Sequence, residues 1–262
     1  MGARLVDQQY LLNDQYKDAS HLKQRLHIWQ QLGLDPREWY RWIFDHIHLP
    51  PQSQVLELGC GSGDLWQENL ERIPPDWQVN LSDFSPGMLQ AAQHTLGESN
   101  QRFTYQVIDA QSIPYEPAHF DGVIANLMLY HVPDLSRALS EIRRVLKPGG
   151  IFYTTTTAAT GVSEAGRKMM EAGLASSSFG LENGEQQLSR CFSHVDLHRL
   201  EQSLRIAEAE PLAELFCSLI AKSGEEEQMR QYVRSGVEQE LRQHGASIQV
   251  EFGLFVAWAQ KS

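Results

Sequence analysis

The chain has 262 residues, of which 42% are hydrophobic and 21% are charged, and its formal net charge is −11. This length and composition exclude a fibrous or disordered protein and favour one globular domain with a sizeable core. The negative net charge argues against sequence-independent binding to the phosphate backbones of nucleic acids, because such binding needs clustered Lys and Arg. We therefore expect no nucleic-acid partner.

Helix signals dominate residues 1–50. The segment Asp35–Glu38 combines an acidic N-cap with proline at the first helical position and glutamate at the third, which predicts a helix start. The tryptophans of this segment, Trp29, Trp39 and Trp42, have two interpretations. We expect most of them to pack helices onto a sheet, and the alternative is an aromatic lid over a ligand.

Residues 55–64 predict a strand followed by a nucleotide-binding turn. Glycines at alternate positions let the backbone bend sharply and approach a ligand with no side chain in between: Gly59, Gly61 and Gly63. The dinucleotide fingerprint needs a further glycine where Asp64 stands. A pyrophosphate prefers bare amides, whereas the carboxylates of Glu57 and Asp64 suit a phosphate-free ligand with an amino group and a sulfonium.

Strands and helices then alternate at the spacing of a parallel, doubly wound sheet. Ser85-Pro86 predicts a helix start, and Lys147–Gly150 is expected to end a later helix. The predicted strands are Val79–Asp83, Phe103–Ile108, Phe120–Asn126 and Ile151–Thr157. An acid at a strand end, such as Asp83, typically accepts hydrogen bonds from ribose hydroxyls.

Residues 158–245 are less informative. They predict a helix over 161–173, a turn near 181–184, a sixth strand over 194–207 and helices over 212–221 and 225–242. Apolar residues at 250–257 predict a final strand.

Five motifs in order resemble those of the class I S-adenosylmethionine-dependent methyltransferases, and more narrowly the methyltransferase type-11 group. They are VLELGCGSG, SDFSPGML, VIDAQSIPY, FDGVIANLMLYHV and VLKPGG, within residues 55–157. The resemblance implies an α/β fold with a doubly wound, seven-stranded, mostly parallel sheet whose last strand is antiparallel. It also implies a helical cap (1–50) on an α/β domain (51–262), in which 158–245 walls the substrate pocket.

The same resemblance implies S-adenosylmethionine as cofactor and S-adenosylhomocysteine as product. Glu57 would meet the loop amides or the methionine amino group, and Asp109 with Ala110 would bracket the adenine, although Asp109 could instead be a turn residue. The residues expected at the cofactor are Tyr16, Glu57, Gly59, Gly61, Gly63, Asp83, Phe84, Met88, Asp109, Ala110 and Asn126.

Methyl transfer from a sulfonium is an in-line displacement that needs a base only for a protonated nucleophile. His131 is the candidate base, with an equal alternative as a helix-capping residue. Tyr130 would orient the substrate or simply pack. The pairs His46/His48 and His194/His198 lack a third ligand at a recognisable spacing, so no metal is implied.

We therefore expect a methyltransferase that modifies O, N or C of a small organic molecule. The alternatives are an RNA or protein substrate, a non-catalytic binding module, and a dehydrogenase, which Asp64 disfavours. Three cysteines without C-x-x-C spacing, and no signal peptide or spanning segment, favour a cytoplasmic protein without a membrane partner. The sequence does not indicate an oligomeric state.

Overall fold

A computed structural model describes residues 6–97, 100–160, 179–205 and 247–260. Between these last two ranges it also describes 208–211, 213, 214, 227, 228, 230, 231, 234–236 and 238. The predicted helix over 161–173 lies outside the described residues. The described residues within 209–214 and 227–238 are helical, in agreement with the pattern there.

A seven-stranded sheet runs through the centre of the molecule. Its strands are β1 (Gln54–Leu58), β2 (Gln78–Asp83), β3 (Phe103–Val107), β4 (Phe120–Asn126), β5 (Leu146–Thr160), β6 (His194–Arg205) and β7 (Ser247–Trp258). The order is β3-β2-β1-β4-β5-β7-β6. Strands β1 to β5 pair in parallel, whereas β7 is antiparallel to both β5 and β6. The predicted fold class, including the antiparallel last strand, is confirmed.

Helices lie on both faces of this sheet. They are α1 (Gln8–Tyr10), a π-helical turn (Leu11–Gln15), α2 (Ser20–Gln31), α3 (Pro36–Asp45), α4 (Asp64–Glu68), α5 (Pro86–Leu96), a 3-10 turn (Leu129–His131), α6 (Leu135–Val145) and α7 (Gly184–Leu188). Successive β1 residues point to opposite faces, so Val55 joins a core with Ile43 of α3 and Leu56 joins a core with Ile142 of α6. Among the described residues, no helix is long and apolar enough to cross a membrane.

Both predicted helix starts are confirmed. Asp35 caps α3 by accepting from the Arg37 N–H at 3.0 Å, and Ser85 caps α5 by accepting from the Met88 N–H at 3.3 Å. Proline follows the N-cap in each case. Its ring fixes the helical φ, and its missing N–H costs nothing there because the first N–H groups of a helix have no intrahelical acceptor.

The three tryptophans pack into the core that joins the N-terminal helices to the sheet. Trp39 is buried with its ring 5.2 Å from that of Phe252 on β7, and Trp29 and Trp42 are partly buried against the same cluster. The packing interpretation therefore accounts for all three.

The helix before β5 ends at the predicted place, whereas β5 begins earlier than the predicted Ile151. The helix ends at Val145, and Leu146 already pairs with Phe120 of β4. The register then shifts before Gly122 pairs with Ile151, so the Lys-Pro-Gly-Gly segment forms an irregular start of β5 rather than a loop after the helix.

Candidate functional site

The glycine loop between β1 and α4 depends on a backbone conformation that favours glycine. Gly59, Gly61 and Gly63 have φ values of 67°, 57° and 79°. A Cβ at Gly59 would lie 2.9 Å from both Cβ and Cγ of Met128, which follows β4. The left-handed bend of the loop agrees with the glycine spacing, and the group that approaches Gly59 here is the Met128 side chain.

Asp83 ties this loop to the end of β2. Its Oδ2 accepts from the Gly61 N–H at 3.0 Å and its Oδ1 accepts from the Ser85 N–H at 2.8 Å. Burial raises the pKa of Asp83 to about 6, against the opposing effect of these backbone donors. Each carboxylate oxygen has two lone pairs, so Asp83 retains capacity for further donors such as hydroxyls.

Glu57 lies buried beneath the loop. Its Oε2 accepts from Trp66 Nε1 at 2.5 Å and its Oε1 accepts from Asn126 Nδ2 at 3.1 Å, while Asn126 Oδ1 accepts from the Thr155 hydroxyl at 3.2 Å. Burial raises the pKa of Glu57 to about 7. Its hydrogen-bond partners are therefore side chains rather than the expected loop amides. The roles of Trp66 and Thr155 were missed, since no local spacing relates them to Glu57.

Asp109 lies beyond the end of β3. Its Oδ1 accepts from the Gln111 N–H at 2.9 Å, and its Oδ2 accepts from Gln8 Nε2 at 3.3 Å. Ala110 beside it is buried. The predicted turn role is present, since Ser112 donates its N–H to the Asp109 carbonyl at 2.8 Å. The contact with Gln8 shows in addition that the N-terminal segment reaches this strand end.

The same N-terminal segment is anchored on the start of α5. The Ser85 hydroxyl donates to the Tyr16 carbonyl at 2.6 Å. A Cβ at Gly87 would lie only 1.9 Å from the Lys17 carbonyl oxygen, so this position must be glycine for the two backbones to meet. These contacts and that of Gln8 with Asp109 therefore place residues 8–17 at the carboxyl ends of β2 and β3.

Tyr16 meets the turn after β4 directly. Its hydroxyl lies 2.9 Å from His131 Nε2, and the two rings are edge to face with centroids 5.3 Å apart. The Tyr130 ring lies 4.5 Å from the His131 ring. Burial raises the pKa of Tyr130 well above its ordinary value, so its hydroxyl stays protonated and can donate but not act as a base.

The last two predicted cofactor residues differ in exposure. Phe84 is half-buried, and its N–H contributes to the donors on Asp83. Met88 is fully buried on α5. Among the described residues, no group of three or more His, Cys, Asp or Glu side chains is placed to hold a metal ion.

We expect Gly87→Ala to detach the N-terminal segment without harming the sheet. The new methyl group would overlap the Lys17 carbonyl, while alanine is intrinsically better than glycine in a helix by up to about 1 kcal/mol. Hydrogen exchange should then quicken in residues 6–34 and remain slow in β1 and β4. Pro86→Ala, at the exposed neighbouring position, is the control. Unchanged exchange in both variants would contradict the anchoring role.

Comparisons with known proteins show what the central part of this site is similar to. A family model described as a methyltransferase domain, Methyltransf_11, matches residues 56–154. The chain is 35% identical over 117 residues to a demethylmenaquinone methyltransferase of Symbiobacterium thermophilum, covering 44% of this chain and 47% of that protein. It is 37% identical over 119 residues to a ubiquinone/menaquinone biosynthesis C-methyltransferase of Desulfotalea psychrophila, covering 45% and 47%. The chain thus matches about half the length of these curated relatives.

The fold extends further than the sequence similarity. A phosphoethanolamine N-methyltransferase of Haemonchus contortus, solved with S-adenosylhomocysteine, superposes with a TM-score of 0.60 at 19% identity, covering 98% of this chain and 60% of that one. At this identity the likeness concerns the fold alone. The ordered motifs, the sheet order and the family match agree, and residues 56–154 match a methyltransferase domain.

Proposed function

We propose that this protein is a methyltransferase that transfers a methyl group from S-adenosylmethionine to O, N or C of a small organic molecule. The observation that carries the proposal is the position of two carboxylates, the buried Glu57 and the half-buried Asp83, at the ends of β1 and β2 against the glycine loop. Ligands of doubly wound sheets bind at this edge.

The two carboxylates fit the cofactor chemically. S-adenosylmethionine carries an ammonium and a sulfonium, and buried carboxylates are stabilised by a nearby cation. Glu57 and the glycine loop would hold its methionine end, with Asn126 and Met88 supporting that region. Asp83 would hold the ribose beside Phe84, and Asp109 with Ala110 would meet the adenine. When bound, the cofactor supplies a methyl group already activated by positive sulfur.

Tyr16 and His131 would remove the acceptor proton where the acceptor needs it. With the imidazole proton on Nδ1, Nε2 accepts from the Tyr16 hydroxyl. The acceptor would then pass its proton to Tyr16 Oη as the Tyr16 proton moves to His131 Nε2. In this proposal Tyr16 serves the acceptor, whereas the sequence predicts a cofactor role for it. Tyr130 would donate a hydrogen bond to the acceptor.

The N-terminal cap (1–50) would serve as a lid that excludes water, and the insertion over 158–245 would complete the pocket wall. The anchoring of residues 16 and 17 on α5 supports the lid. We further propose a cytoplasmic enzyme that does not act on nucleic acid, in keeping with the net charge of −11.

Isothermal titration with S-adenosylmethionine and S-adenosylhomocysteine tests the cofactor assignment, with NADH as the comparison ligand. Both sulfur compounds should bind and NADH should not. Asp83→Ala should weaken binding more than His131→Ala, because only Asp83 would touch the cofactor. Absence of binding by either sulfur compound, or the reverse ranking of the two variants, would refute the proposal.

We expect the affinity for S-adenosylmethionine to rise between about pH 5 and about pH 8. In the ligand-free protein, burial raises the pKa of Asp83 from 3.8 to about 6 and that of Glu57 from 4.5 to about 7. Because these carboxyl pKa values are raised, the folded protein holds more protons than the unfolded one. The two groups therefore lower the free energy of unfolding as pH rises from about 4 to about 7. A cationic ligand reverses the effect by favouring both carboxylates, and binding therefore releases protons.

Titrations in buffers of different ionisation enthalpy would count the released protons. Glu57→Gln retains one acceptor oxygen for Trp66 and removes the titration, so it should release fewer protons at neutral pH than the parent protein. Equal proton release by the two proteins would remove Glu57 from the ligand's surroundings.

A further inference from the structure

Arg25 is a buried cation whose guanidinium has no ionic partner among the described residues. It lies on α2 with 6% of its surface exposed, and its Nη1 has no hydrogen-bond partner within that part of the chain. Buried charges are normally paired, so an arginine in this state is suited to an anionic ligand.

The described surroundings of Arg25 place it beside the proposed proton-transfer pair. Its guanidinium carbon lies 5.3 Å from the centroid of the Tyr16 ring, and the Tyr16 hydroxyl contacts His131. The positive charge of Arg25 also acts on the Tyr130 hydroxyl: it lowers the pKa of that group, against the larger raising effect of burial. The stacking on Tyr16 compensates part of the cost of burial but leaves the in-plane N–H donors available.

The course of α2 brings Arg25 near both the glycine loop and the Tyr16–His131 pair. Leu22, one helical turn earlier on the same face, would be 3.2 Å from a Cβ at Gly61. Arg25 itself lies over the ring of Tyr16, the residue proposed to meet the acceptor.

We propose that Arg25 binds a carboxylate or phosphate oxygen of the methyl acceptor, and hence that the acceptor is a small organic acid. This inference rests on the proposed function. A planar guanidinium matches such oxyanions with two parallel hydrogen bonds. Because Arg25 has no counter-charge among the described residues, a neutral analogue would leave its charge buried and uncompensated, and the site would reject that analogue.

The test uses the full-length protein, labelled methyl donor and an extract of small metabolites. Labelled products should be retained on anion-exchange resin at neutral pH, and Arg25→Gln should lower their yield at least about tenfold, since a charge-assisted pair is lost. Arg25→Lys keeps the charge and should retain part of the activity. Lys23→Gln makes the same charge change at an exposed position of α2 and should match the parent protein.

Binding measurements separate the acceptor from the cofactor. Arg25→Gln should bind S-adenosylhomocysteine as the parent protein does. If the variant weakens this ligand but not 5′-methylthioadenosine, which lacks the amino-acid carboxylate, Arg25 serves the cofactor and the inference is overturned. It is equally overturned by labelled products that are neutral, or by Arg25→Gln and Arg25→Lys both retaining full yield. Failure of the parent protein to bind S-adenosylhomocysteine would instead refute the proposed function.

Discussion

Replacing His131 by alanine should lower turnover by about 10²- to 10⁴-fold, the usual contribution of a positioned acid–base group. The affinity for S-adenosylhomocysteine should stay nearly unchanged, because His131 contacts Tyr16 rather than the glycine loop. The measurement is transfer of labelled methyl to an acceptor identified from a metabolite extract, with titration calorimetry on the same preparations.

A double variant tests whether Tyr16 and His131 act as one unit. If Tyr16 passes the proton to His131, Tyr16→Phe combined with His131→Ala should be little worse than either single change, since residues that act as a unit are not additive. Tyr10→Phe removes a hydroxyl that donates to Gln15 in the same N-terminal segment, and it should have little effect on turnover. Additive losses in the double variant would mean that the two side chains act separately.

The sheet was predictable because its signals are local. An apolar strand, a turn and an amphipathic helix each leave a pattern within about ten residues, and five such units in order leave few topologies open. The two N-caps were predictable for the same reason, since Asp35 and Ser85 act on N–H groups two or three residues away.

The contacts that complete the site were not predictable in this way. Gln8 and Asp109 are 101 residues apart, and Tyr16 and His131 are 115 residues apart. No periodicity relates such positions, because packing of the N-terminal segment across the sheet brings them together. Arg25 illustrates the limit best, since a charged residue on a helix is ordinarily assigned to solvent and only its burial shows otherwise.

Gly59→Ala should impair both folding and cofactor binding. The substitution places a side chain at φ 67° and sets its Cβ 2.9 Å from Cβ and Cγ of Met128, atoms near the backbone rather than at the flexible end of the side chain. Left-handed strain and overpacking together should lower the free energy of unfolding by about 2–5 kcal/mol. Chemical denaturation would measure this loss, and calorimetry would measure the loss of affinity for S-adenosylhomocysteine.

Gly33→Ala separates the two causes. Gly33 also has a left-handed φ, 88°, but a Cβ there would meet nothing within 4 Å. Its cost should be strain alone, about 1–2 kcal/mol, with cofactor affinity retained. A larger loss at Gly59 would therefore measure how closely the turn after β4 approaches the loop. Equal losses at the two positions would mean that Met128 moves aside, and that the glycine is needed for its backbone conformation rather than for the space beside it.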